Sequence, residues 1–195
     1  MKMKKIIAGA LLGCSLLSTQ VLAADTNMYV GLDISKSNNT LSADLTNGYV
    51  SNDVDDDSSG FKLKVGVISE SGWRLQGYYQ RETYDKTIFD SSNDLLSEFG
   101  IDVIKGFEIT PKFSPFIQAG LGYGTMDIKG YDSSTISAVS FKIGAGVIYK
   151  IVPAFEIMAG VDFQARKWEE IQYPLYKASV SERTTKVYLG ANFLF

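Results

Sequence analysis

The chain has 195 residues, with 19 Lys and Arg, 22 Asp and Glu and no histidine, which gives a formal net charge of −3. Hydrophobic residues make up 45%, and there are 18 Gly, 11 Tyr and 11 Phe but only 4 Pro. An acidic chain is a poor candidate for binding nucleic acid. The length suits one domain, and the composition favours many short strands over helices.

The first 23 residues have the pattern of a secretory signal peptide. Three lysines precede an apolar stretch at 6–17, and a small-residue cleavage site follows at 21–23. The apolar stretch is well short of the roughly 20 residues that a spanning helix needs. We therefore expect cleavage after Ala23 and one mature domain over residues 24–195, with a net charge of about −6 once the three lysines are removed.

Cys14 is the only cysteine, and residues 11–14 faintly resemble the lipobox at which lipoproteins are cleaved and acylated. Leu12 suits that motif poorly, and apolar residues continue past the cysteine. Cleavage after Ala23 is therefore the favoured hypothesis. The mature chain then has no thiol, no disulfide and no cysteine metal site.

From residue 27 onward, alternating apolar and polar positions predict eight strands. Each strand is close to the roughly 9–11 residues of a tilted membrane strand. The predicted spans are 27–36, 60–69, 73–84, 95–108, 115–127, 136–149, 155–167 and 183–195. One face of each strand is apolar, and the last strand shows this in Val187, Leu189, Ala191, Phe193 and Phe195.

The opposite face of the predicted strands carries charged residues of both signs. They are Asp33, Lys62, Lys64, Arg74, Glu82, Glu98, Asp102, Lys142, Glu156, Asp162, Arg166 and Lys186. The interior of an eight-stranded barrel is just wide enough for side chains to fill, and unpaired charges there are costly. We therefore expect an ionic network that fills the lumen, with pairs drawn from Arg74, Lys142, Arg166 and Lys186 and from Glu82, Glu98, Asp102, Glu156 and Asp162.

A soluble eight-stranded barrel would instead place the apolar face inside and the charged face outside. The signal peptide and the aromatic carboxyl terminus favour the inverted, membrane arrangement.

Aromatic residues on the apolar face predict two girdles, one at each membrane interface. If the first strand rises from the periplasm, the inner girdle holds Trp73, Tyr149, Phe155, Phe193 and Phe195, and the outer holds Phe61, Tyr79, Phe99, Tyr123, Phe141 and Phe163. Lys105 falls on the same nominal face. A bulge near Ile104, or a lysine that reaches out to the interface, would accommodate it.

Short predicted connections alternate with long ones, which places both mature termini on the periplasmic side. The short connections are 70–72, 110–114 and 150–154, and the long ones are 37–59, 85–94, 128–135 and 168–182. The longest contains Asp53, Asp55, Asp56 and Asp57, whose oxygens could hold Ca²⁺ or Mg²⁺. The calcium-loop template requires Gly where Ser58 stands, so a solvated acidic loop without metal is favoured.

With these features together, the mature chain resembles the OmpA/OmpX-like family of eight-stranded outer-membrane β-barrels. The leader, the apolar-faced strands, the alternating connections and the terminal Phe195 carry the resemblance. It implies an all-β, antiparallel up-and-down transmembrane barrel in the cell outer membrane, in contact with membrane lipid and lipopolysaccharide. It also implies that the barrel-assembly machinery recognises the last strand.

The residues disfavour an enzyme. Outer-membrane barrel enzymes such as lipid A deacylases depend on a histidine, and this chain has none.

The glycines of 120–124 recur at every second position of a predicted strand, so they do not form a phosphate-binding loop. Gly144, Gly146, Gly160 and Gly190 also fall on the inward face, where they leave space for bulky neighbours. No cofactor is expected.

The leading hypothesis is a non-enzymatic barrel with an envelope-structural or surface-interaction role through its extracellular loops. The alternative is a narrow porin-like channel for ions or small solutes. A charged lumen is necessary for that role but insufficient, because porins with a standing channel use about 16–18 strands.

Overall fold

The computed structural model describes residues 27–45, 52–86, 95–127, 135–172 and 177–195. Its strands are β1 (Asn27–Leu45), β2 (Asn52–Ile68), β3 (Trp73–Tyr84), β4 (Leu95–Gly106), β5 (Phe113–Asp127), β6 (Thr135–Val152), β7 (Phe155–Trp168), β8 (Ile171–Gln172) and β9 (Lys177–Leu194). The predicted signal peptide and Cys14 lie outside the described residues. Within those residues, no helix has the length and apolarity required to cross a membrane.

Eight long antiparallel strands form a closed barrel. Each pairs with its neighbour in chain order, and β1 pairs with β9 to close the sheet. The two-residue strand β8 pairs only with the start of β9, through Ile171 and Ala178. The predicted all-β, eight-stranded up-and-down barrel is confirmed.

The three short connections and both ends of the described chain lie at one end of the barrel, which we call the turn end. The connections are 69–72, 107–112 and 153–154. Met28 and Phe195 exchange backbone hydrogen bonds of 3.0 and 2.9 Å. Gly72 ends the first turn with φ of 81°, a left-handed conformation that favours glycine. The opposite end of the barrel is the loop end.

The strands at the loop end are longer than the sequence pattern predicts. Residues 37–45 and 52–59, predicted as loop, are paired strand in β1 and β2, and β9 begins at Lys177 instead of residue 183. The prediction of loops there is wrong. Inward and outward positions of these segments are both mostly Ser, Asn, Thr or Asp. The period-2 hydrophobic signal therefore disappears although the strand continues.

Lys105 lies on the outward face without any bulge near Ile104. β4 pairs with β3 and β5 in unbroken register through this position, and Ile104 is buried. The lysine donates to the Ser71 carbonyl and its ammonium lies 5.3 Å from the centre of the Trp73 ring. The prediction of a lysine that reaches outward is thus confirmed, and the prediction of a bulge near Ile104 is wrong. A register shift occurs instead at Lys150–Val152, where β6 meets β7.

Inward glycines make room for large side chains from adjacent strands, as the sequence predicts. A Cβ on Gly144 would collide with the Asp162 carboxylate, and one on Gly160 would lie 2.6 Å from the Tyr188 hydroxyl oxygen. Real Cβ atoms do not approach so closely, so these positions accept only glycine without rearrangement of the lumen.

Candidate functional site

Apolar side chains fill the lumen at the loop end. This apolar plug consists of Leu41, Tyr84, Leu96, Met126, Ile136, Ala138, Trp168 and Val180. All are buried, and they come from every long strand except β2. The sequence does not predict the plug, because the inward face of a membrane strand is expected to be polar. The plug fills the lumen on the loop-end side of the charged residues.

Arg166 is the centre of the charged layer beneath the plug. Its side chain is fully buried, and Nη1 donates to the Glu182 carboxylate and the Tyr84 hydroxyl, both at 2.8 Å. Nη2 donates to Glu98 at 3.0 Å and to Glu82 at 3.4 Å. One planar guanidinium therefore holds carboxylates from three strands, β3, β4 and β9, a role for which its fork of donors is suited.

A second ion pair crosses the lumen near the turn end. Both Arg74 Nη atoms donate to the two carboxylate oxygens of Glu156. These residues lie on β3 and β7, which face each other across the eight-stranded ring. A second cluster of buried apolar side chains lies beside the pair: Ile104, Phe116, Ile148, Met158 and Tyr188. Charges and apolar groups together fill this end of the barrel.

The structure places all twelve charged residues predicted for the lumen on the buried inner face. The remaining ion pairs join Lys64 to Asp33, Lys142 to Asp102 at 2.9 Å and Lys186 to Glu82 at 2.7 Å. Lys62 and Asp162 form no ion pair with any described residue. Lys62 lies over the Tyr78 and Tyr188 rings, at 4.9 and 5.6 Å from their centres, and Asp162 accepts a hydrogen bond from Gln118.

Glu182, which the sequence pattern does not assign to the lumen, belongs to the same network. Glu182 is buried and also accepts from the Trp168 indole at 3.1 Å and from the Thr184 hydroxyl at 3.1 Å. The predicted last strand starts one residue too late to include it. Extending the alternation of Lys186 and Thr184 backwards by two residues would have placed Glu182 on the inward face.

The outer face of the barrel has an apolar band between the two ends. Nine of the predicted girdle residues are well exposed there: Phe61, Trp73, Phe99, Tyr123, Phe141, Tyr149, Phe163, Phe193 and Phe195. Tyr79 and Phe155 are half-buried, and the Tyr79 ring packs on Phe99 with ring centres 4.7 Å apart. Aromatic side chains thus lie toward both borders of the band.

Beyond the band, toward the loop end, the outward positions become polar and charged. The acidic residues predicted in a loop lie on β2, where Ser42, Thr40 and Asn38 of β1 donate to Asp53, Asp55 and Asp57 at 2.7, 2.9 and 3.1 Å. Asp56 points inward, and burial raises the pKa of its carboxyl. The described residues include no group of three or more acidic, His or Cys side chains that could hold a metal ion.

The model of the outer membrane protein β-barrel domain family matches residues 9–193. The chain belongs to this family. The apolar band is accordingly the lipid-facing surface of an outer-membrane barrel. No curated protein matches the sequence.

Solved structures of outer-membrane barrels share the fold. Neisserial surface protein A (NspA) is 21% identical, with a TM-score of 0.56 over 86% of this chain and 97% of that one. Outer membrane protein OprG from Pseudomonas aeruginosa is 12% identical, with a TM-score of 0.59 over 87% of this chain and 96% of that one. At this level of identity the likeness concerns the fold alone.

Proposed function

We propose that the protein is a non-enzymatic outer-membrane barrel that acts through its outer surface at the loop end. In this proposal the turn end and both mature termini are periplasmic. The observation that carries the proposal is the filled lumen, in which Arg166 binds three carboxylates directly beneath the apolar plug.

Transport through this lumen would require the buried ion pairs to separate. Freeing Arg166 would leave the buried carboxylates of Glu98 and Glu182 without an ion pair among the described residues, whereas Glu82 would keep Lys186. Breaking such a buried pair costs about 3–5 kcal/mol. Eight strands leave an interior that side chains fill. Both arguments favour a barrel that stays closed.

The loop end offers a surface for contact with other molecules. β1 pairs with β2 as far as Ala43 and Asn52, whereas the pairing of β2 with β3 ends at Ser58 and Tyr84. Among the described residues, β1, β2 and β9 therefore extend beyond the other long strands at this end, and β8 pairs with the start of β9. The outward polar and charged residues of this extension suit contacts with lipopolysaccharide or with surface molecules.

The turn end offers the surface expected for recognition during assembly. Phe195 is 62% exposed, and its ring stacks on Phe193 with centres 6.3 Å apart. These accessible aromatics support recognition of the last strand by the barrel-assembly machinery.

Conductance of the refolded mature chain in a planar bilayer tests the closed lumen. We expect no steps from the wild type, nor from Arg183→Gln, which changes a charge on the outer face. Arg74→Gln combined with Glu156→Gln removes the crossing ion pair and retains polar side chains of similar size. The folded state of the wild-type barrel is checked by its change in SDS-gel mobility on boiling. Reproducible conductance steps from this folded barrel, larger in the double variant, would contradict the proposal.

The alternative is a narrow porin-like channel for ions or small solutes. Lys62 and Asp162 favour it, because both lie buried in the lumen without an ion pair among the described residues. They are the charges that could contact a passing ion without first breaking a salt bridge.

A further inference from the structure

An outward groove lies where the apolar band meets the polar surface of the loop end. Its volume is about 450 Å³. Phe141, Ile143 and Phe163 line one side, and Thr40, Arg183 and Thr185 line the other. The groove therefore combines a lipid-facing apolar half with a cationic half at the level of the membrane border.

The strand register explains the shape of the groove. Ala165 on β7 faces Phe141 of β6 on one side and Arg183 of β9 on the other. In the next row, Phe163 lies between Ile143 and Thr185. Ala165 is the small residue among these side chains, so the floor of the groove stays open between two phenyl rings and a guanidinium.

The two cations beside the groove, Lys167 and Arg183, have no salt-bridge partner among the described residues. Ala165 pairs with Arg183 and Lys167 with Ser181, so Lys167 and Arg183 are diagonal neighbours on one face, within reach of a shared ligand. Both are exposed, and neither forms an ion pair with a described residue. The outward carboxylates Asp55, Asp57 and Glu169 accept hydrogen bonds from the neutral side chains of Thr40, Asn38 and Ser137, and none of the three forms an ion pair with Lys167 or Arg183.

We propose that this groove binds one outer-leaflet lipid whose headgroup carries a phosphate. The phosphate is held by Arg183 with Lys167, because a guanidinium matches phosphate geometry. One acyl chain lies over Ala165 between Phe141 and Phe163. This inference rests on the proposed function, since it assigns a partner to the outer surface at the loop end.

The two halves of the groove distinguish this ligand from simpler ones. A free anion would use Arg183 and leave the phenyl rings without a partner. An uncharged hydrocarbon would use the rings and leave two cations without a counterion. A phosphorylated lipid satisfies both halves, and the groove lies at the depth where such a lipid changes from chain to headgroup.

Native mass spectrometry of the refolded mature chain in detergent tests the proposal with lipid A and its dephosphorylated counterpart as probes. We expect the wild type to retain one phosphorylated lipid and to bind the dephosphorylated lipid at least fivefold more weakly. Arg183→Gln should lower retention of the phosphorylated lipid about fivefold, the effect of one cation near a membrane surface. Ala165→Trp fills the floor and should lower retention with both cations intact.

The matched control is Lys112→Gln, which removes one exposed charge at the turn end and should leave retention unchanged. Equal retention in wild type and Arg183→Gln would overturn the proposal, as would an equal loss in Lys112→Gln. Displacement of the lipid by the same concentration of inorganic phosphate would identify a free-anion site instead. A barrel that conducts ions but retains the phosphorylated lipid would overturn the proposed function and leave this site standing.

Discussion

The inner and outer faces of the barrel wall are built from the same strands but follow opposite rules. The inner face buries charges and pairs them, as at Arg166, whose guanidinium has three carboxylate partners. The outer face exposes large apolar side chains such as Phe99, which is 63% accessible. A soluble protein does the reverse. The difference follows from the surroundings, because the outer face contacts lipid and the inner face contacts other side chains of the lumen.

This difference separates stability from recognition. On the inner face most of the charged groups depend on a particular partner, so a change at one of them leaves another buried group unsatisfied. On the outer face the cations Lys167 and Arg183 have no partner among the described residues and remain available to ligands. Substitutions should therefore be costly inside and tolerated outside.

The largest effect is expected from Arg166→Met, compared with Arg183→Gln on the outer face. Loss of the buried guanidinium leaves Glu82, Glu98 and Glu182 without their shared cation, and should cost about 3–5 kcal/mol in the free energy of unfolding. Arg183→Gln should cost less than about 1 kcal/mol. Both costs can be measured by urea unfolding of the refolded barrel. The folded and unfolded forms are distinguished by their different mobilities in SDS gels before and after boiling. Similar stability in the two variants would refute the division between the faces.

The next effect concerns the apolar plug. Leu96 is completely buried within it, and Leu96→Ala should cost about 2–5 kcal/mol, because the loss of apolar contact is accompanied by a cavity. Leu63 is 50% exposed on the lipid-facing band, where detergent or lipid chains fill the vacated space. Leu63→Ala should therefore cost distinctly less in the same unfolding assay, and an equal cost would show that the plug is loosely packed.

A smaller effect should distinguish two glycines on the two faces. Gly144→Ala would bring a methyl group against Asp162 and to 2.8 Å from the Val161 carbonyl oxygen, and should cost about 1–3 kcal/mol. Gly77 faces outward, and a methyl group added there would meet no described atom within 4 Å, so Gly77→Ala should be neutral to within about 0.5 kcal/mol. The comparison fails if both variants unfold at the same urea concentration.

The fold could be predicted because the apolar band imposes a strict period of two on the outward positions. β3 spans the predicted residues 73–84, since lipid faces its outward positions and the lumen its inward ones. Beyond the apolar band, outward positions are no longer apolar, and the period of two disappears. Asp53, Asp55 and Asp57 therefore suggest a loop although they form part of β2.

The sequence predicts which charged residues face the lumen, but not which of them contact each other. Alternation places Arg74 and Glu156 on the inward face, but their contact depends on β3 and β7 facing each other across a closed ring. Sequence alone leaves that arrangement undetermined. The apolar plug escapes prediction for another reason: Leu96 and Met126 occupy inward positions where polar residues are expected.

The smallest effect tests whether the outer face also contains specific interactions. Lys105 is a cation on the lipid-facing side at the turn end, where its ammonium lies 5.3 Å from the Trp73 ring centre and 5.9 Å from that of Phe107. Lys105→Gln should cost about 0.5–1 kcal/mol, the strength of an exposed cation–π contact. Lys112→Gln, in the neighbouring turn, should have no effect in the same unfolding assay. If the two variants are equally stable, Lys105 only extends its charge to water, and the outer face contributes to stability through apolar burial alone.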